Sequence, residues 1–153
     1  MRAVSPAFIA CSRPLAEAGI AVFGIPFEGR VNLRKGADGG PRDLRLASDS
    51  IETYSAVLGR DLEDLPLADL GDCEMPDGAP PREQLDAARH AMAAWWRPGL
   101  LPFMLGGDHT ATVPVIEVLA PAVSSSSHCA PWRLSSASKA AWSTLFFLKS
   151  CSA

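Results

Sequence analysis

The residues with the clearest capacity for chemistry lie in one run, Pro102-Phe103-Met104-Leu105-Gly106-Gly107-Asp108-His109-Thr110. An apolar, strand-like stretch ends in two glycines, and an aspartate and a histidine follow where a helix would start. In an open α/β sheet this delivers an imidazole to the carboxyl end of a strand, where such sheets keep their ligands. The glycine pair lets the backbone come close to whatever binds there. A neutral imidazole suits a borderline divalent metal, and a neighbouring carboxylate can fix its tautomer. His109 is therefore the candidate metal ligand. Asp108 is the candidate second group supporting it, with helix N-capping as the alternative. One imidazole makes no catalytic metal site, which needs three or more protein donors.

Elements able to position that run are legible on either side of it. Gly19 to Phe27 reads as a buried strand, followed by a Gly-rich basic loop from Glu28 to Gly40. Pro41 then opens a helix, with Leu44, Ala47, Ile51, Tyr54 and Leu58 at helical spacing. Leu65 to Leu70 is a second strand. Pro80-Pro81 start a helix through Leu85, Ala88, Met92 and Trp95, stopped by Pro98-Gly99. Leu100 to Leu105 is a third strand and Thr110 to Leu119 a third helix. Strands alternating with helices imply an α/β fold, with a mainly parallel sheet covered on both faces.

The chain changes character after Pro121. Residues 124–153 hold ten serines, three basic residues and no acid, with Trp132, Trp142, Phe146 and Phe147 among them. That composition has neither a clean helical nor a clean strand period. We expect three segments: 1–18, a disordered leader; 19–121, the folded unit; and 122–153, a serine-rich tail outside the fold. A shifted reading frame, retained intron or alternative exon is the preferred origin of that tail. Arg2, Ser5, Ser12 and Arg13 precede the first acid, Glu17, in the manner of a transit peptide, but Pro6 and Pro14 interrupt any amphipathic helix there.

Composition narrows the function classes. The chain has 153 residues, 48% hydrophobic and 20% charged, with a net charge of -3. No basic cluster points to nucleic acid, and no apolar run is long enough for a membrane span. Cys11, Cys73, Cys129 and Cys151 form no CxxC pair, so reduced, unpaired thiols in a cytoplasmic setting are expected, with mitochondria as the alternative.

Three stretches carry a resemblance. GIPFEGRVNLRKGADGGPRDLR, LADLGD and PFMLGGDHT, in that order, resemble the N-terminal half of the ureohydrolases, the arginase and agmatinase family. The agmatinase side is the closer. The match covers about residues 20–121. The resemblance implies a three-layer α/β/α arginase-like fold, here truncated, and two Mn ions bridged by a hydroxide that attacks a guanidino carbon. It implies a guanidino small-molecule substrate, release of urea and an amine, and a homo-oligomer in complete members. The histidine of the family's GGDH motif is a metal ligand and falls on His109; Asp108 becomes its supporting group.

The sequence also departs from that pattern. The family's DAHxD and DxDxxDP ligand motifs do not occur, and His128 in its Ser-rich context brings no carboxylate. Lys35 stands where proline is commoner, and Thr110 replaces serine. Arg30, Arg34 and Lys35 read as a solvated basic loop, with the border of a substrate entrance as the alternative; Asp69 and Asp72 read as loop hydrogen-bonding residues at a strand end, with metal ligation as the alternative, and His90 as a surface histidine. Trp95 and Trp96 read as core or subunit contact. No catalytic residue is assigned. Two functions follow: a Mn-dependent guanidino hydrolase of agmatinase type, or a non-catalytic truncated product or interaction module lacking the two-metal site. The related metal-dependent deacetylases fit the order of motifs less well. A parallel sheet cut midway also leaves an unpaired strand edge, so association or poor solubility is expected.

Overall fold

The three apolar runs become one parallel sheet. A computed structural model describes residues 1–29 and 35–124. Its central strand, β1 (Ile20–Ile25), is almost entirely buried. After it come helix α1 (Gly40–Ser48), a two-stranded hairpin of β2 (Tyr54–Ser55) and β3 (Arg60–Asp61), and strand β4 (Leu67–Asp72). Helix α2 (Pro81–Trp95), strand β5 (Leu101–Gly106) and helix α3 (Thr112–Ser124) complete the order. The chain divides into two units, Met1–Leu119 and Ala120–Ala153, and of the second only residues 120–124 are described.

The sheet order is β4-β1-β5, with β1 parallel to both neighbours. Alternation along β1 places Ala21, Phe23 and Ile25 on one face and Val22 and Gly24 on the other. Phe23 and Ile25 pack with Ala88 and Met92 of α2 and with Ala111, Val115 and Val118 at and after the end of β5. Trp95 closes this core edge-on to Phe23, with ring centroids 5.0 Å apart. Trp96 packs beside it and donates its indole N–H to the Leu100 carbonyl at 3.1 Å. The opposite face receives α1. Three layers, α/β/α, result.

Helix α1 is shorter than its apolar pattern suggests. It ends at Ser48, and Tyr54 lies in the hairpin. Leu44, Ile51, Tyr54 and Leu58, expected on its core face, are 42% to 61% exposed. The buried stripe is instead Pro41, Arg45 and Ser48, at equally helical spacing. The reason is electrostatic. Arg45 is only 1% exposed and lies over β4, where it meets two carboxylates. Its Nε and Nη2 donate to Asp69 at 2.8 and 2.9 Å, and its Nη1 donates to Asp72 at 2.7 Å.

Residues three apart on a regular strand point to opposite faces. A bulge brings Asp69 and Asp72 together: Val22 pairs with Asp69, and Gly24, two residues on, pairs with Asp72. The extra residue in β4 turns Asp72 onto the α1 face. Gly71 adopts φ +76 there, and a Cβ would run into the Arg2 carbonyl oxygen. Asp69 and Asp72 thus do more than the expected loop hydrogen bonding; they are strand residues neutralising a buried guanidinium.

The same cluster orders residues 1–18, which are not the disordered leader that composition suggests. Arg2 pairs with Asp72 through backbone bonds of 2.7 and 2.9 Å, and Arg13 N–H reaches the Leu67 carbonyl at 3.0 Å. The Phe8 amide donates to Asp69 at 2.7 Å and the Ile9 amide to Ser48 Oγ at 3.1 Å. The segment therefore covers the outer edge of β4, which would otherwise offer unpaired backbone groups. Among the described residues no strand pairs with the outer edge of β5.

Burial alone would raise the Asp69 pKa, but the Arg45 bonds and the Phe8 and Gly71 amides together hold it below 3.8. A carboxyl so lowered contributes its full stability above the ordinary value and loses it as pH falls through the lowered one. Urea midpoints should hold from neutral pH down to about pH 5 and fall steeply below about pH 4, and Asp69→Asn should flatten that fall. Arg45→Met, which strands two carboxylates in the interior, should cost about 3–5 kcal/mol in the same titration at pH 7.

Candidate functional site

The order β4-β1-β5 places a topological switch between β1 and β5, because the chain leaves β1 toward β4 and later crosses back to β5. Open sheets bind ligands at that crevice, outside the carboxyl ends of the strands. Here the two loops meeting at the switch are Pro26–Gly29 and Gly107–His109. They are joined by backbone. Gly107 donates to the Ile25 carbonyl at 3.2 Å and Asp108 to the Phe27 carbonyl at 3.0 Å.

Gly107 serves this closeness. A Cβ on Gly107 would collide with the Phe27 carbonyl oxygen and lie 2.9 Å from that of Ala37. The Gly106 carbonyl oxygen lies 2.8 Å from where a Cβ on Gly40 would stand. The start of α1 and both strand ends are thus packed backbone on backbone, a geometry only glycine permits.

Asp108 occupies the N-cap of a 3-10 turn, His109–Ala111, that leads into α3. Its Oδ1 accepts from Thr110 N–H at 2.7 Å and its Oδ2 from Gly29 N–H at 2.8 Å. Both oxygens are engaged by amides, and no described bond joins Asp108 to the His109 ring. The His109 side chain is exposed, and its carbonyl accepts from Thr112 Oγ1 at 2.6 Å. Glu28 was not singled out by sequence, yet its carboxylate accepts from the Gly36 amide and, at 2.7 Å, the Ala37 amide. Lys35 is exposed, as is His90, which lies 3.3 Å from Arg89. Arg30, Arg34, His128, Cys129, Cys151 and the tail aromatics lie outside the described residues.

The described thiols offer no nucleophile. Cys11 and Cys73 are free. Burial, reinforced by Asp69, pushes the Cys11 thiol up to about 12, and burial pushes Cys73 up to about 11. Both stay protonated at neutral pH, and only the thiolate attacks.

A family model for the arginase family matches residues 18–129. The chain belongs to the arginase family. It is 36% identical over 112 residues to an agmatinase of Bacillus subtilis, covering 73% of this chain and 38% of that one. An agmatine ureohydrolase of Thermoplasma volcanium superposes with TM-score 0.66 at 30% identity, over 78% of this chain and 40% of that one. A formiminoglutamase of Trypanosoma cruzi, solved with Mn2+, superposes at 0.60 and 25% identity, over 72% and 38%. The chain spans about 40% of the length of the relatives it matches.

Manganese in that relative invites a test of the residues present here. Among the described residues, no group of three or more His, Cys, Asp or Glu converges on a point that could hold a metal. His109 stands alone, and the nearest carboxylates are engaged by protein donors. The described residues do not fit a two-metal centre. Gly107→Ala should nevertheless be severe: we expect a loss of about 2–4 kcal/mol, since the clash is with backbone and cannot be relieved by a side-chain rotation. Chemical denaturation of the variant measures it. A change below about 0.5 kcal/mol would show that the loops are not in contact.

Proposed function

We propose that the protein represented by this chain acts on guanidino small molecules, agmatinase-like, hydrolysing a linear amidine C–N bond to release urea and an amine with Mn as cofactor. Membership of the arginase family and likeness to agmatinases support the substrate class. The observation that carries the reading is the GGDH turn, which sets an exposed His109 at the β1/β5 switch. Residence in the cytoplasm and assembly of the complete protein into homo-oligomers belong to the same proposal. No helix among the described residues is long and apolar enough to cross a membrane.

The second half of the proposal concerns the 153 residues as they stand. A guanidinium carbon is a poor electrophile, so hydrolysis demands a hydroxide generated at neutral pH. The described residues place nothing to generate it. Asp108 and Glu28 accept amide bonds, Asp69 and Asp72 hold Arg45, and both described thiols are protonated. The sequence has neither DAHxD nor DxDxxDP to add carboxylate donors. By itself this chain is a non-catalytic half-scaffold.

Incubating the purified chain with agmatine and Mn2+ and measuring urea tests this directly. The expected rate equals that of His109→Ala and of buffer, and turnover above those controls would overturn the non-catalytic reading. Reading the encoding DNA past the Pro121 codon in all three frames tests the other half. A DAHxD motif close downstream in another frame supports a disrupted hydrolase gene, and its absence counts against the frame-shift origin of residues 122–153.

A further inference from the structure

Four carboxylates stand at the carboxyl end of the sheet, and their partners sort them into two pairs. Asp69 and Asp72 neutralise Arg45. Among the described residues Glu28 and Asp108 meet no cation within hydrogen-bonding reach; their described partners are four backbone amides, those of Gly36, Ala37, Gly29 and Thr110. The two pairs of bonds are linked in series, because Glu28 and Gly29 are adjacent. Glu28 ties the start of its loop to the point where the chain returns ahead of α1. The Gly29 amide ties that start to Asp108, and Asp108 ties it onward to the His109-bearing turn.

We propose that Glu28 and Asp108 form a paired anionic clamp that organises the loops around His109, and that Asp108 acts neither as a metal ligand nor as a partner of the His109 ring. The inference rests on the reading of His109 as the ligand of the family's GGDH motif, but its geometry stands without it. A charged acceptor makes shorter and stronger bonds to amides than a neutral one. A metal ion at Asp108 would compete with an amide bond on each oxygen, and losing the Oδ2 bond would leave the part-buried Gly29 N–H without its partner. Glycine at position 29 fits the arrangement: a Cβ there would lie 3.0 Å from Asp108 Oδ2. The clamp's described partners are all backbone amides, and no group of three or more metal donors forms among the described residues.

The test is amide hydrogen exchange, read by NMR on the full 153-residue chain labelled with 15N. The Gly29, Gly36, Ala37 and Thr110 amides should be protected equally with and without about 1 mM Mn2+, and the ion should shift the melting temperature by less than about 1 °C. Asparagine keeps one acceptor oxygen where aspartate has two, so Asp108→Asn should speed exchange about tenfold at Gly29 or at Thr110 but not at both. Asp108→Ala should release both, and Glu28→Ala should release Gly36 and Ala37 alone. If the alanine variants do not fold, Asp108→Asn carries the test. Unchanged exchange in that variant would overturn the clamp. So would Mn2+ stabilisation of the native chain that Asp108→Asn abolishes. Failure to release urea leaves the exchange result standing.

Discussion

One buried charge organises this molecule. Arg45 lies in the interior between α1 and β4, and a guanidinium there is tolerated only with matched anions and satisfied donors. Burial acts to strip its proton, yet the bonds to Asp69 and Asp72 outweigh that and hold its pKa above the ordinary arginine value. Meeting this demand shapes the neighbouring backbone. β4 must bulge so that Asp72 joins Asp69 on one face. Gly71 must be glycine, because the strand turns through a left-handed conformation against the Arg2 carbonyl. Asp69 Oδ2, which accepts from Arg45 Nε, also accepts from the Phe8 amide, and this draws the N-terminal segment along the strand. Helix placement, strand irregularity and edge protection are consequences of a single ion cluster.

The second constraint is backbone proximity at the switch between β1 and β5. Gly40 and Gly107 let three segments approach without intervening side chains. Loops packed this tightly bury amides, and buried amides need acceptors. Glu28 and Asp108 supply them. This accounts for why acidic residues near a histidine do not converge on a common point: their positions answer to the amides around them. Acid count near a candidate ligand is therefore a poor guide to metal binding unless the acids' own hydrogen bonds are known.

Sequence periodicity was sufficient for β1, β4, β5, α2 and α3, because these elements bury apolar stripes and the pattern reports burial. It failed for α1 for the same reason. Leu44, Ile51, Tyr54 and Leu58 fall at helical spacing, but the stripe facing the sheet is Pro41, Arg45 and Ser48. The signal that could have corrected it was available in LADLGD: two aspartates inside an otherwise apolar strand require a buried cation, and Arg45 follows a helix-opening proline by one turn. Residues 1–18 escaped detection because their order comes from backbone bonds to β4 and to Asp69, which leave little trace in side-chain composition. The GGDH turn was legible as a strand-to-helix junction. The purpose of its glycines was not, since close approach to a neighbouring loop and close approach to a ligand require the same residue. Glu28 left no signal at all, because an acid in a loop usually faces water.

Family likeness and catalytic capacity separate cleanly at this point. This chain shares the arginase-family fold with its relatives, and over the shared part it holds the central strand, the switch, the glycine contacts and the turn that opens at Asp108. Each of those features is held by bonds internal to the described residues, and none requires an ion to be in place. Activating water takes a different kind of arrangement, with several anionic donors left unsatisfied by protein so that a cation can satisfy them. Asp108, next to the imidazole in the chain, is in the opposite condition, with an amide on each oxygen. A scaffold whose acids are already satisfied can fold, cap its turn and display His109 without acquiring chemistry. Gly106-Gly107-Asp108-His109 is accordingly a statement about architecture first, and it becomes a statement about catalysis only where unsatisfied donors face the imidazole.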